Sequence, residues 1–109
     1  MVSEIALYGA WSATTAGTDA GATATKAAQS NGYHVVTHVS GHTDADATLQ
    51  LKDGSTVLAE WKIDVSVEGF QFNVATGVWI CSRNSAVTAV ISASSADCQA
   101  NVAGFTITG

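Results

Sequence analysis

The chain has 109 residues, 47% of them hydrophobic and only 12% charged, with a formal net charge of −5. That length makes one domain able to bury a core without staples. Its four basic residues, Lys26, Lys52, Lys62 and Arg83, are scattered, so there is no basic stripe for nucleic acid or an anionic membrane surface. No apolar run reaches the eighteen or so residues of a spanning helix. With charge at about half its usual share, the surface is solvated by Ser, Thr, Ala and Gly. This suits either Thr-rich exposed strands or a protein whose surface is largely occupied by neighbours.

Residues 1–21 show no clean period. The segment from Trp11 to Gly21 is small, polar and glycine-punctuated, so residues 1–21 read as an extended N-terminal arm before a single domain over 22–109. The start of the chain carries Glu4 and no positive region ahead of its apolar patch (Ile5, Ala6, Leu7, Tyr8), so no secretory signal is expected.

Eight strands follow at close spacing: 23–28, 33–40, 47–52, 56–67, 70–74, 78–82, 87–93 and 101–108. Asn31-Gly32, Gly41, Gly54, Gly69, Gly77, Asn84-Ser85 and Ser94-Ser95 punctuate them. Residues 20–28 are alanine-rich enough to admit a helix, but Thr and Ala alternate there as in a strand. The run 56–67 exceeds the usual strand length, and a bend near Asp64 that hands it from one sheet to another accounts for this. This pattern predicts an all-β, antiparallel two-sheet sandwich, jelly-roll-like. Its expected core draws on Val35, Val39, Leu49, Leu51, Trp61, Ile63, Phe70, Phe72, Ile80, Val90, Phe105 and Ile107.

The firmest local signal is the hairpin around Lys52-Asp53-Gly54-Ser55. Ala47, Leu49 and Leu51 alternate with polar residues before it, and Val57, Ala59, Trp61 and Ile63 do so after it. A two-residue Asp53-Gly54 loop would set the two apolar series on opposite faces. An odd loop, Lys52-Asp53-Gly54, repairs the parity by facing Leu49 with Val57 and Ala47 with Ala59. Gly54 then takes the left-handed position, and Thr48, Gln50, Leu58 and Glu60 form the outer face.

Reactive constellations are weak. His34, His38 and His42 are spaced by four, but on a strand that puts neighbours about 13 Å apart, too far for one zinc ion with bonds near about 2 Å. These histidines read as exposed or interfacial. Asp44, Asp46 and Asp53 lack the calcium-loop spacing. Glu4, Glu60 and Glu68 form no local acid pair, and G-x-S-x-G, phosphate-loop and C-x-x-C motifs do not occur. Cys81 and Cys98 could form one bridge, but buried thiols are favoured. No enzyme, metal site or cofactor is expected. The aromatics with least assured burial, Tyr8, Trp11, Tyr33 and Trp79, together with Ile5 and Leu7, are the candidate interface residues.

Three blocks carry a family resemblance: Ala22-Thr23-Ala24-Thr25-Lys26-Ala27-Ala28, then His34-Val35-Val36-Thr37 with Val39-Ser40-Gly41, and Ala47 through Leu58. With the closing Val102-Ala103-Gly104-Phe105-Thr106-Ile107-Thr108, the chain resembles small capsid decoration (cement) proteins of tailed bacteriophages over roughly residues 22 to 108. The resemblance implies a β-sandwich, commonly a homotrimer, that binds the major capsid protein on the outer surface of the virion and stabilises the shell. Assembly would take place in the host cytoplasm, and the N-terminal arm through Trp11 would contact a neighbour. Two other classes remain open: a phage fibre or tail module binding a receptor or glycan through exposed aromatics, and a non-viral adhesion domain.

Overall fold

The computed structural model describes residues 10–18, 20–64, 71–74, 77–94 and 97–108, with 71–74, 93 and 94 described through their backbone. The strands are β1 (Ala10–Gly17), β2 (Ala20–Lys26), β3 (Gly32–Thr43), β4 (Ala47–Asp53), β5 (Thr56–Ile63), β6 (Gln71–Val74), β7 (Trp79–Ile80), β8 (Val87–Ser94) and β9 (Cys98–Thr108). One sheet runs β1-β9-β3, with β6 and β7 end to end along the far edge of β3; the other runs β2-β8-β4-β5. Every ladder is antiparallel.

The winding follows from one hairpin. If the chain is doubled back at β4–β5, the successive partners are β3 with β6 and β7, β2 with β8, and β1 with β9. Rolling that long hairpin into two facing sheets joins β9 to β3 and β8 to β4, which is the jelly roll. β5 ends at Ile63 in one sheet and β6, the strand expected over 70–74, lies in the other; residues 65–67 of the expected long strand, where it would have entered that second sheet, lie outside the described residues.

Residues 10–17, read from the sequence as arm, are strand β1, paired residue for residue with β9 from Ala10↔Phe105 to Gly17↔Cys98. Trp11 and Ala13 pack inward against the core. Their alternation with Ser12 and Thr14 is a period-2 signal that the small residues around it obscure. Residues 20–26 are strand, not helix.

The β4–β5 hairpin departs from the expected register. Asp53 pairs with Thr56, so the loop is Gly54-Ser55, with Gly54 at φ 59° in the first central position that a type II′ turn reserves for glycine. Parity is repaired inside the strand: Leu51 pairs with Ala59 but Lys52 with Val57, leaving Leu58 as the extra residue of a bulge. Leu49 therefore faces Trp61, not Val57, and Ala47 faces Ile63, not Ala59. Leu58 packs against the core and Val57 is 46% exposed, the reverse of the expected assignment.

Between the sheets lie Ala22, Ala24, Val36, Val39, Leu49, Leu51, Ile63, Val87, Ala89, Ile91, Cys98, Ala100 and Val102, among others. Trp61 and Trp79 close one side of the core edge to face, with ring centroids 6.0 Å apart. Of the expected core, Ile80 is exposed, and Val90, Phe105 and Ile107 are only half-buried. Val90 belongs to the outer face of its sheet, opposite Gln50 and Thr23, because Val87, Ala89 and Ile91 take the inward phase. Phe70 and the Phe72 side chain lie outside the described residues.

Candidate functional site

The bulge at Thr37 decides what each face of the β1-β9-β3 sheet presents. Val36 pairs with Gly104 but His38 with Ala103, so the strand changes phase between them. Before the bulge His34 and Val36 point inward; after it Val39, Gly41 and Thr43 do. Residues directly opposite one another share a face, so one row across the outer face is Ala10, Phe105, Val35 and Ile80. Tyr33 and Ile107 form the next row, and Ser12, Ala103 and His38 flank it on the other side. Ile80 is 68% exposed and the adjoining Val78 is 69% exposed. Further along the face, Asn101 donates to Ser40 at 3.0 Å, with Thr14 beside it, and Gln99, His42 and Ala16 complete the polar end.

None of these outer-face residues is Asp, Glu, Lys or Arg. The other sheet differs: its outer face carries Lys52, Glu60 and Lys62 among Thr23, Thr25, Thr48, Thr88 and Ser92. There Gln50 Nε2 donates to Glu60 Oε1 at 2.6 Å across the strands. An apolar row within an uncharged face matches the composition of protein-binding surfaces, whose centres are depleted in charge.

Of the candidate interface residues, Tyr33 lies half-buried on this outer face. Trp11 does not. Its ring meets His34 edge to face at 5.5 Å, and Lys26 Nζ sits 5.8 Å from the centroid. Its indole N–H is buried without an acceptor among the described residues. Trp79 likewise packs on Trp61 and the core. Ile5, Leu7 and Tyr8 lie outside the described residues. The apolar members that sequence reasoning missed, Ile80 and Phe105, were expected in the core between the sheets.

The histidines do not converge. His34 is fully buried, with Nε2 donating to the Ala27 carbonyl at 2.8 Å and Nδ1 hydrogen-bonded to Thr106 Oγ1 at 2.7 Å, so both ring nitrogens are satisfied. This corrects the expectation that it is exposed or interfacial. His38 is exposed and His42 half-buried on the opposite face. Among the described residues no group of three His, Cys, Asp or Glu is placed to hold a metal. Cys81 and Cys98 are buried thiols with no disulfide between them. Burial, and then the nearby Asp53 charge, push the Cys81 thiol up to about 11, far from a reactive thiolate.

An open cleft of about 550 Å³ lies beside the β4–β5 end, lined by Asp46, Thr48, Lys62, Asp64 and Ser92 with Ala47 and Ile63. Among the described residues its lining includes the carboxylates of Asp46 and Asp64 and the Lys62 ammonium, and no aromatic ring, imidazole or thiol.

Asp53 works as a brace. Its Oδ2 accepts from the Ser82 N–H at 2.8 Å and from Ser82 Oγ at 2.9 Å, tying the hairpin end to the 81–86 loop. Burial raises the carboxyl, but the hydrogen bonds from Ser85 and Ser82 outweigh it and hold the group below its ordinary value. A carboxylate depressed in the folded state adds stability above its unfolded pKa, and that stability is lost as pH falls through the folded pKa. The melting-temperature gap between wild type and Asp53→Asn is therefore expected to stay constant above about pH 5 and to shrink below about pH 4. A gap that persists unchanged into strong acid would show that the brace is not ionic.

No protein family, curated protein or solved structure matches the chain in these comparisons.

Proposed function

We propose that this chain is a structural virion protein that seats on the outer surface of a phage capsid, at junctions of major capsid subunits, and stabilises the shell. The observation that carries the reading is the outer face of the β1-β9-β3 sheet, where the Ala10–Phe105–Val35–Ile80 row sits in a field free of Asp, Glu, Lys and Arg. An uncharged sheet face presented by a sandwich suits a mechanical role: it gains free energy by removing apolar area from water, roughly 25 cal/mol per Å², and asks for no chemistry. The sequence resemblance to decoration proteins supplies the partner.

The test is co-sedimentation of the purified chain with expanded and unexpanded shells of the source phage. Saturable, stoichiometric binding to expanded shells is expected. Ile80→Lys should weaken it at least about tenfold, because a charge must be desolvated in the contact, while leaving the fold intact because Ile80 is 68% exposed. Absence of saturable binding, or an Ile80→Lys variant that binds as well as wild type, would refute the reading. The receptor- or glycan-binding alternative rests on Tyr33, which among the described residues is the candidate aromatic found on an outer face. It requires Tyr33→Ala to lose a glycan ligand with the fold unchanged.

A further inference from the structure

The sandwich has four sheet edges, and among the described residues three carry a device that discourages another strand from adding. The β5 edge has Glu60, Lys62 and the Leu58 bulge. The β2 edge has Lys26 and a register shift between Ala20 and Ala22. The edge formed by β6 and β7 is broken into pieces of 4 and 2 residues. Charges, bulges and short strands are the usual protections of an exposed edge. The fourth edge, β1, has none of them. It runs 8 residues, Ala10–Gly17, without charge or proline, and its register with β9 is unbroken. Half of its backbone N–H and C=O groups point away from β9, and among the described residues no strand pairs with them.

We infer that β1 is a self-association edge: two copies join β1 to β1 antiparallel across a two-fold axis, merging their β1-β9-β3 sheets into one. Three features select a second copy as the occupant. First, the chain carries a net charge of −5, so copies repel least where they meet without charge, and β1 is the longest unbroken uncharged edge among the described residues, 8 residues against the 4 and 2 of β6 and β7. Second, a two-fold joint needs a self-complementary strand. Faces stay aligned only if outward residues meet outward residues, which puts the axis on a residue, and the registers that overlap most of Ala10–Gly17 centre on Ala13 or Thr14. In the first register Ser12 meets Thr14 of the other copy and Ala10 meets Ala16. In the second, Thr14 meets Thr14 and Ser12 meets Ala16. Every outward pair is small, and hydroxyl pairs across strands are favourable. Third, the nearest cation, Lys26, lies over Trp11 towards one end of β1. An antiparallel joint sends the two Lys26 side chains to opposite ends, where they do not oppose each other. This inference stands independently of the capsid reading.

The experiment is sedimentation equilibrium of the full chain across a wide concentration range, with hydrogen exchange on the same samples. The expected species is a dimer of the 11.1 kDa chain, with alternate amides of residues 10–17 gaining protection as concentration rises. Thr14→Lys places a charge mid-edge on an exposed position and should give a monomer with unchanged circular dichroism. Thr25→Lys, on the exposed face of β2, should remain dimeric. A monomer at every concentration, a trimer, a Thr14→Lys variant of wild-type mass, or β1 amides indifferent to concentration would each overturn the inference. Should Thr14→Lys fail to fold, the exchange pattern of the wild-type chain decides.

Discussion

Gly104→Ala is expected to lower stability by about 3 kcal/mol, at the upper end for forced overpacking, and to drop Tm by roughly 12 to 24 °C at about 4–8 °C per kcal/mol. The cause is local and backbone-bound. A Cβ at position 104 would stand 2.0 Å from the Val35 carbonyl oxygen and 3.0 Å from the Val36 Cα. These atoms belong to β3, the strand that β9 pairs with at the centre of its sheet, and they adjoin the Thr37 bulge. Relief would require prising the two strands apart. Gly41 provides the contrast. It lies on the same strand pair, but its added Cβ would meet the Gln99 carbonyl and the Ile91 side chain at 3.3 Å, a contact that small shifts relieve. Gly41→Ala should cost less than about 1 kcal/mol, the gain in chain stiffness offsetting the squeeze. Thermal melts of the two variants check the pair, and equal losses would show that glycine entropy, not the close approach, is responsible.

Gly104 also explains why part of the interior was hard to read. Phe105 and Ile107 are the largest apolar residues of β9, and both were expected in the core. The interior at that end is already filled from β1 and β3, by Trp11 and His34. Close packing leaves fixed volume to share, so β9 turns Gly104 and Thr106 inward and Phe105 and Ile107 outward. Trp11 pairs directly with Gly104, the largest side chain set opposite the smallest. Volume exchange between strands distant in sequence leaves no mark in the period of either strand alone.

Fold class and winding were legible for the opposite reason: they rest on local alternation and turn residues, which a short window contains. The β4–β5 faces are an example. Leu49, Leu51, Ala59, Trp61 and Ile63 share the inward face as their parity requires. What parity leaves undetermined is where the odd residue is absorbed, in the loop or in a bulge, and that choice shifted every pairing. The same blindness to bulges hid the outer face. Histidines at four-residue spacing share a face on a regular strand, yet the phase change at Thr37 sends His34 inward and His38 outward. The uncharged face was visible in composition as a shortage of charge, but its location required the register.

His34→Ala should be the most damaging substitution at a polar position, lowering stability by about 3–5 kcal/mol, the range for breaking a buried, bonded group and leaving a cavity. The imidazole, on β3, is fully buried against Trp11 of β1 and Thr106 of β9 and holds two partners at once, the Ala27 carbonyl and the Thr106 hydroxyl. Removing it orphans both, at about 1–3 kcal/mol for each buried group left unsatisfied, and withdraws the support under Trp11. The Ala27 bond ties the end of β2 to the sheet opposite, so the loss is also expected to free the β2–β3 connection. Urea unfolding should show a lower midpoint, and hydrogen exchange should speed up around residues 26–34. Chelator should leave the wild-type Tm unchanged, because His34 holds its neighbours through hydrogen bonds and stacking. A His34→Ala variant as stable as wild type, or a wild-type Tm that falls on chelation, would return His34 to the list of ligands. With the ring acting as a strut, Trp11 is locked inside the sandwich and β1 is held as a firm edge. A cut that removes Trp11 would then open the domain.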